Sequence, residues 1–261
     1  MTPDGTRRRA LVTNDDGIDS AGLRYLAAVA VQAGLDVVVA APHREASGSS
    51  ASITVRDRDG RIDVDERHLP GLPGVPAYAV SAPPALITLI ATRGAFGPPP
   101  ELVLSGINRG ANTGHAVLHS GTVGAALTAA ANGRPAIAVS LDVGLSPAGP
   151  PHWESPARFV PDLLPVLRRA DRPTVLNLNG PDLPADQVRG LRPAILARFG
   201  VVQTKVEVGN GYVRMSVADE TARLEPGTDA ALLADGYATL TAITPVFEAS
   251  DVDLGALIAI R

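Results

Sequence analysis

Short apolar runs rich in β-branched residues alternate with helical patterns over the first two-thirds of the chain. Such alternation is typical of a parallel sheet whose strands are joined by crossover helices. The runs predict strands at Arg9–Thr13, Asp36–Ala41, Ala77–Ser81, Leu102–Ser105, Ala136–Leu141 and Thr174–Asn179. We therefore expect an α/β fold with a mostly parallel sheet and flanking helices.

Cap and turn residues predict where the intervening helices begin and end. The predicted helices run from Ser20 to Gly34, from Pro83 or Pro84 to Arg93, from Thr122 to Asn132 and from Ser155 to Arg169. Pro161 and Pro165 are expected to interrupt the last of these, because proline has no backbone N–H to donate.

The pattern changes at about residue 190, so we expect an α/β core over residues 1–190 and a β-rich arm with a C-terminal segment over residues 191–261. The predicted elements of this second part are a β-hairpin of Thr204–Val208 and Tyr212–Val217 and a strand at Tyr237–Thr244. The arm has too few apolar residues for a core of its own, and a lone hairpin is marginally stable in water. We therefore expect it to serve oligomerisation rather than to fold as an independent domain.

Composition excludes several classes of function. The 261 residues are 45% hydrophobic but only 3% aromatic, so the core must consist of Ala, Val, Leu and Ile. A net charge of -4 argues against nucleic-acid binding through a basic surface. No cysteine is present, which excludes disulfides and thiolate metal sites and fits a reducing compartment. No apolar stretch reaches transmembrane length and no signal peptide is seen, so we expect a soluble cytoplasmic protein without membrane partners.

Two adjacent carboxylates, Asp15 and Asp16, follow the first predicted strand and precede a turn at Gly17. Like charges side by side repel, and the next basic residue along the chain is Arg24. A divalent cation is the natural partner, because hard cations such as Mg²⁺ prefer carboxylate and amide oxygens. The alternative is a surface turn with an N-cap, since Asp and Asn favour both roles.

Three polar loops leave the carboxyl ends of predicted strands, at Asn14–Ser20, Pro42–Ser52 and Ser105–Thr122. Ligands bind beyond these ends in an open parallel sheet, so we expect the loops to meet at one site. The third loop contains Asn108 and Asn112, whose amide groups can ligate a hard metal or donate to phosphate.

This loop ends in Ser120-Gly121-Thr122, directly before the alanine-rich helix. Backbone N–H groups at a helix start, with two hydroxyls beside them, can bind an anion. An ordinary Ser/Thr N-cap after a flexible loop is the alternative.

Taken together, these motifs resemble those of the SurE family, the stationary-phase survival proteins, which are metal-dependent 5′/3′-nucleotidases. The matching segments are TNDDGIDSAGL, APHREASGSS, SGINRGANTG, SGTVGAA, PAIAVS, LNLN and DGYATLTAITPV, in the same order and over almost the whole chain. The resemblance implies a Rossmann-like α/β core and a C-terminal arm exchanged between subunits of a homodimer or homotetramer.

The resemblance also implies the residues of the site and their roles. One divalent metal ion per subunit, Mg²⁺ or Mn²⁺, would be bound by Asp15, Asp16, Ser47 and Asn108. The implied phosphate contacts are Asn14, Asn112, Ser120, Gly121 and Thr122. The implied reaction is hydrolysis of nucleoside 5′- or 3′-monophosphates, with Asp15 and Asp16 as catalytic residues. The sequence leaves open whether the metal ion activates the phosphoryl group and a water molecule, or whether Asp15 instead acts as general base or phosphoryl acceptor.

Three places depart from the family pattern. Residues 82–86 lack an acidic residue that the family often has there, His119 stands where an aromatic residue is common, and Thr128 replaces an acidic residue. Because none of these is an implied metal ligand, they leave the reaction in place. They open the alternative of a phosphatase narrowed to another phosphorylated metabolite.

Two other classes of protein share parts of this pattern. A response-regulator-like module also has an acidic pair after its first strand, but it needs a lysine after its fifth, and Lys205 is the only lysine here. A non-catalytic nucleotide-binding protein would keep the site without turnover, and the presence of all four implied metal ligands argues against it.

Few side chains near the loops could protonate the leaving group of a substrate or stack on its base. Either His115 or His119 could protonate a leaving alkoxide. The aromatic residues near the loops are Tyr25, Tyr78, Phe96 and Trp153. We therefore expect loose recognition of the base.

Overall fold

The computed structural model describes residues 7–54, 59–144, 149–169, 174–198, 203–218, 224–246, 248 and 253. Its strands are β1 (Arg9–Thr13), β2 (Asp36–Pro42), β3 (Val64–Arg67), β4 (Ala77–Val80), β5 (Leu102–Arg109), β6 (Ala136–Asp142), β7 (Val175–Pro181), β8 (Leu191–Pro193), β9 (Gln203–Gly209), β10 (Tyr212–Ala218) and β11 (Ala238–Ile243). Its α-helices are α1 (Ala21–Gln32), α2 (Pro84–Thr92), α3 (Gly121–Ala131), α4 (Glu154–Ala157), α5 (Val160–Arg169) and α6 (Asp229–Ala234), and a 3-10 helix spans Gly114–His119.

A nine-stranded sheet in the order β3-β4-β2-β1-β5-β6-β7-β11-β8 forms the centre of the protein. Strands β4, β2, β1, β5, β6 and β7 are parallel, whereas β3 and β11 run antiparallel to β4 and β7. The predicted α/β fold is thereby confirmed. The direction in which strands are added reverses between β1 and β5, and such a switch point is where ligands bind in open α/β sheets.

Helices cover both faces of the sheet. Helices α1 and α5 pack on one face through residues such as Leu23 and Leu163, and α2 and α3 pack on the other through residues such as Ile87 and Ala126. Strand β1 is buried between these layers, so its alternating side chains point into apolar surroundings on either side. Because β1 is buried on both faces, its C-terminal end, which the acidic pair follows, is held in a defined position.

Four short elements have no predicted counterpart: β3, β8, α6 and the 3-10 helix. Strand β3 is exposed along its whole length, so it lacks the alternation that marks a half-buried strand. Strand β8 has three residues and α6 has six, too few for a periodic pattern to show. Strands β3 and β8 form the two edges of the sheet and do not change its order around the switch point.

The predicted helix from Ser155 to Arg169 is two helices, α4 and α5, separated at Arg158 and Phe159. Pro161 lies in the first turn of α5, where a missing backbone N–H leaves no hydrogen bond unmade. Pro165 lies in the interior of α5. The prediction that Pro161 and Pro165 interrupt this helix is wrong, because both lie within α5 and the break precedes them.

The predicted hairpin is present as β9 and β10, which form a separate two-stranded antiparallel sheet among the described residues. Its apolar side chains Val208, Tyr212 and Val213 are exposed. The last predicted strand is β11, which enters the main sheet between β7 and β8 and thus crosses the boundary expected at residue 190. The division into core and arm stays a prediction.

None of the helices in the described ranges combines the length and hydrophobicity that crossing a bilayer requires.

Candidate metal and phosphate site

Asp15 lies beyond the end of β1, against the first turn of α3. Its side chain is only 4% exposed, and its Oδ1 accepts a hydrogen bond from the hydroxyl of Thr122. Backbone N–H groups of Gly121 and Thr122 also stabilise the carboxylate. Burial raises the pKa of Asp15, and these donors offset part of the rise. The start of α3 therefore fixes one carboxylate of the acidic pair in place.

Two glycines allow this close approach of α3. A Cβ atom at Gly121 would lie 2.7 Å from Oδ2 of Asp15 and 2.6 Å from Oγ of Ser49. A Cβ atom at Gly124 would lie 2.2 Å from the carbonyl oxygen of Ser50 in the second loop. The spacing of the two glycines in the SGTVG motif thus brings the helix, the first loop and the second loop together.

Asp16 lies beside Asp15 and is less deeply buried. Its Oδ2 accepts a hydrogen bond of 3.1 Å from the backbone N–H of Arg109, at the end of β5. Burial and the neighbouring charge of Asp15 raise the pKa of Asp16 to about 6. Within the described part of the chain, neither carboxylate forms an ion pair with a basic side chain. Two like charges in this setting would both be stabilised in the ionised form by a bound cation.

The two carboxylates open into a cleft of about 380 Å³ between the first, second and third loops. Ser47 and Asn108, the two neutral metal ligands implied by the sequence, line the same cleft. Asn108 donates its Nδ2 to the carbonyl of Gly110 at 2.8 Å, so its Oδ1 remains as an acceptor. The hydroxyl of Ser47 donates to Oε1 of Glu45 at 2.6 Å and keeps its lone pairs. The structure thus brings all four implied ligands together, and their role as ligands stays a prediction.

This donor set fits a hard divalent cation. In the ranges that the structure describes, no three His, Cys, Asp or Glu side chains form a group that could hold a metal ion. A bound ion would therefore have two carboxylate ligands, completed by hydroxyl and amide oxygens and by water. Oxygen ligands of this kind suit Mg²⁺ or Mn²⁺ better than Zn²⁺, which takes mainly Cys and His.

Two of the five predicted phosphate contacts line the cleft, Asn112 and Ser120. Ser120 is also the N-cap of α3, because its Oγ accepts a hydrogen bond of 3.1 Å from the backbone N–H of Val123. The capping role of Ser120 is thus confirmed, and a phosphate contact from the same hydroxyl stays a prediction.

The side chains of Asn14 and Thr122 have other partners. Asn14 is fully buried; its Oδ1 accepts from the backbone N–H of Gly17 at 3.2 Å and its Nδ2 donates to Oγ of Ser20 at 2.7 Å. Thr122 is fully buried and its hydroxyl donates to Asp15. These contacts shape the first loop and orient its carboxylate, and the backbone N–H of Thr122 also bonds Asp15. The predicted phosphate contacts of Asn14 and Thr122 stay predictions.

Three buried residues that were not predicted support the third loop from behind. Asn177 and Asn179 of β7 hydrogen-bond the peptide of Asn112, and Asp229 accepts a bond of 2.8 Å from the backbone N–H of Gly114. The two asparagines left a signal in the sequence, since polar residues at alternate positions of an apolar strand share one face. Asp229 left none, because an acidic residue after a threonine at a helix start is an ordinary cap.

The two histidines of the third loop differ in position. His119 lines the cleft, whereas His115 is exposed outside it and its backbone N–H donates to the carbonyl of Ala197 at 3.1 Å. Of the aromatic residues near the loops, Phe96 is buried and stacks on Tyr78 with ring centroids 5.1 Å apart. None of the residues that line the cleft is aromatic.

A sequence model described as "Survival protein SurE" matches residues 10–204, which is well over half of the chain. The chain belongs to the SurE family. It is 36% identical over 241 residues to the 5′-nucleotidase SurE of Stenotrophomonas maltophilia (strain K279a), an alignment that covers 90% of this chain and 89% of the relative. It is 34% identical over 242 residues to the 5′/3′-nucleotidase SurE of Citrobacter koseri, covering 89% of this chain and 88% of the relative.

The fold of this SurE chain also matches a solved structure. The crystal structure of the SurE protein from Aquifex aeolicus superposes with a TM-score of 0.77, at 24% sequence identity, over 97% of this chain and 100% of the other.

The three departures from the SurE pattern differ in their relation to the cleft. His119 lines it, Thr128 donates to the carbonyl of Gly124 within α3 at 2.8 Å, and Pro84 begins α2. Of the three, only His119 is placed to affect the substrate directly.

Proposed function

We propose that this SurE chain is a 5′/3′-nucleotidase that hydrolyses nucleoside monophosphates to nucleoside and phosphate, with one Mg²⁺ or Mn²⁺ ion per subunit. The observation that carries the proposal is the acidic pair of Asp15 and Asp16, which opens to a cleft that also contains the oxygens of Ser47 and Asn108 and the donors of Asn112 and Ser120. Two relatives, a 5′-nucleotidase SurE and a 5′/3′-nucleotidase SurE, support the substrate class.

Asp15, Asp16, Ser47 and Asn108 would bind the metal ion. When bound, such an ion polarises a phosphoryl group and lowers the pKa of a water molecule. Thr122 donates to Oδ1 of Asp15, and the carboxylate keeps further lone pairs with which it could ligate the ion or accept a proton. The donors at the start of α3 keep this carboxylate oriented during turnover.

The opposite wall of the cleft would bind the substrate. Asn112 and Ser120 would donate to the phosphoryl oxygens, over which negative charge spreads in a loose transition state. His119 is the side chain placed to protonate the leaving alkoxide. Because no aromatic side chain lines the cleft, affinity would depend on phosphate and metal, and several nucleoside 5′- or 3′-monophosphates would be hydrolysed.

The decisive experiment measures phosphate release from a panel of nucleoside monophosphates and non-nucleotide phosphomonoesters, with and without Mn²⁺. Asp16→Asn should lower turnover by several orders of magnitude. Asp19→Asn is the matched control, because Asp19 is an exposed carboxylate of the same loop. Full activity after exhaustive chelation would contradict metal dependence. A non-nucleotide substrate preferred by more than about a thousandfold, or about 4 kcal/mol, would replace the nucleotidase by a narrower phosphatase.

We also propose that the protein is a homodimer or homotetramer, located in the cytoplasm. The exposed Val208, Tyr212 and Val213 of a hairpin that forms its own two-stranded sheet support the oligomer, because another subunit would cover them. The absence of cysteine from the sequence supports a reducing compartment.

A further inference from the structure

The peptide of Asn112 is held by two asparagine side chains of β7. Its N–H donates to Oδ1 of Asn179 at 2.8 Å, and Nδ2 of Asn179 donates back to its carbonyl oxygen at 3.0 Å. Nδ2 of Asn177 donates to the same carbonyl oxygen at 2.8 Å. Asn179 and Asn177 are 0% and 1% exposed, so these hydrogen bonds are shielded from water.

The partners of Asn179 determine the orientation of its amide group. A backbone N–H can only donate and a carbonyl can only accept, so Oδ1 must face the one and Nδ2 the other. Aspartate at this position would present two acceptors and repel the carbonyl of Asn112. Leucine would match the shape of the side chain and satisfy neither backbone group.

The side chain of Asn112 is held as well. Its Nδ2 donates to Oγ of Ser140, in β6, at 2.8 Å. The third loop leaves β5, yet the peptide and side chain of Asn112 are bonded to the next two strands of the sheet. One hydrogen of its Nδ2 and its Oδ1 remain available to the cleft that Asn112 lines.

We propose that Asn179 is a positioning residue for the phosphate end of the site. It holds the peptide of Asn112 so that the remaining amide hydrogen of Asn112 is directed at a phosphoryl oxygen, and Asn177 supports the same carbonyl from a second side. Asn179 acts through Asn112 and does not itself line the cleft. The proposal rests on the function proposed above, because it assigns Asn112 to the phosphate of the substrate.

A double-mutant cycle tests the role of Asn179. Asn179→Leu, Asn112→Ala and the double variant are loaded with Mn²⁺, and binding of inorganic phosphate is measured by calorimetry alongside KM and kcat. Asn179→Leu should weaken phosphate binding by roughly ten- to a hundredfold, as expected when a contact is misplaced. It should change the Kd for Mn²⁺ by less than about threefold and weaken phosphate binding no further when Asn112 is already alanine.

Leu178→Val is the matched control. Leu178 is the neighbour of Asn179 on β7, is 0% exposed and packs in the core, so its shortening lowers Tm without touching the third loop. Phosphate affinity should stay at the parental value in this variant. If Asn179→Leu fails to fold, Asn177→Leu removes only one of the two amide donors to the Asn112 carbonyl. It should give a smaller weakening with the same dependence on Asn112.

Equal weakening by Asn179→Leu in both backgrounds would overturn the role of Asn179 and leave the nucleotidase proposal standing. The same holds if its phosphate affinity matches that of Leu178→Val. A parent protein that binds inorganic phosphate but releases none from monophosphates would overturn the proposed function, while the cycle would still decide the role of Asn179. A parent protein that binds no phosphate would remove both.

Discussion

The hydroxyl of Thr122 donates a hydrogen bond to Oδ1 of Asp15, which joins the first turn of α3 to the end of β1. Both residues are buried, so the carboxylate cannot exchange this donor for water. The contact gives the hydroxyl at position 122 a structural role, since it orients the carboxylate that faces the cleft.

Thr122→Val should therefore affect both stability and catalysis. Loss of the donor leaves a buried carboxylate oxygen unpaired, which should lower the free energy of unfolding by about 1–3 kcal/mol. It should also lower kcat/KM for monophosphates. Thr128→Val is the control, since Thr128 donates to a carbonyl within the same helix, away from Asp15. Thermal unfolding and steady-state kinetics check both variants, and a lower Tm with unchanged kinetics would leave Thr122 a purely structural role.

If Asp16 ligates the proposed metal ion, its raised pKa should make metal binding depend on pH. Protons would compete with the cation for this carboxylate, whose pKa is raised to about 6. Affinity for Mn²⁺ should be nearly constant at higher pH and fall by about tenfold for each unit below that value. Calorimetric titration at several pH values checks this. A flat profile down to about pH 5 would contradict ligation by Asp16.

The same shift affects the stability of the metal-free protein. The pKa of Asp16 rises from 3.8 to about 6 on folding, so the folded chain binds the proton more readily than the unfolded chain. The contribution of this group to stability is present at low pH and is lost as pH rises between about 4 and about 6. Asp16→Asn should thus stabilise the metal-free protein at neutral pH and give no gain near pH 4. Urea unfolding at both pH values tests this, with the exposed Asp19→Asn expected to show no such gain.

Variants of the two histidines in the third loop test which side chain protonates the leaving group of the substrate. His119→Gln should lower kcat for nucleoside monophosphates, whose alkoxide leaving group needs a proton. It should have little effect on p-nitrophenyl phosphate, whose leaving group is stable as an anion. His115→Gln should behave like the parent, because His115 lies outside the cleft. Equal effects of His119→Gln on both substrates would argue for a binding role instead.

Charge on the hairpin should disrupt the proposed oligomer. Val208 and Val213 face each other in the pairing of β9 with β10 and are 81% and 63% exposed. Val213→Glu places a charge where a neighbouring subunit would bury apolar surface, so light scattering should show a smaller mass than for the parent. Val64→Glu, on the exposed strand β3, is the control. A parent protein that is monomeric at micromolar concentration would contradict the oligomer.

Much of the fold was predictable because its central strands are buried and continuous. Strand β1 begins and ends at the predicted residues, Arg9 and Thr13, and the N-cap Ser20 is confirmed by its hydrogen bond to the backbone N–H of Leu23. Strand β3 was missed because its residues are all exposed and carry no periodic signal. Strand β5 continues to Arg109, four residues past its prediction. Its pairing with β6 shifts register between Ser105 and Asn108, where Gly106 has a φ of +139°, and the sequence pattern gave no sign that pairing resumes beyond this glycine.

Sequence reasoning could predict a site residue only where nearby residues in the chain determine its position. The acidic pair and Asn108 follow strands that flank the switch point, so the sequence order already brings them to one edge. The supporting contacts of Asn179 and Asp229 span more than 60 residues of chain, and no local pattern predicts which loop peptide a buried side chain will bond. For the same reason the sequence did not reveal that the hydroxyl of Thr122 faces Asp15 rather than a ligand.

The place of Asp229 in the chain has a consequence for synthesis of the protein. All four implied metal ligands lie before residue 110, yet Gly114 receives its buried acceptor only from α6, and β7 receives its outer neighbour only from β11. All four residues are therefore synthesised well before α6, which supplies the acceptor for the backbone N–H of Gly114 in the third loop. A prematurely terminated product ending near residue 190 would carry the whole acidic pair and lack the carboxylate that secures the loop. Such a product should therefore hold the third loop less firmly than a chain that includes α6.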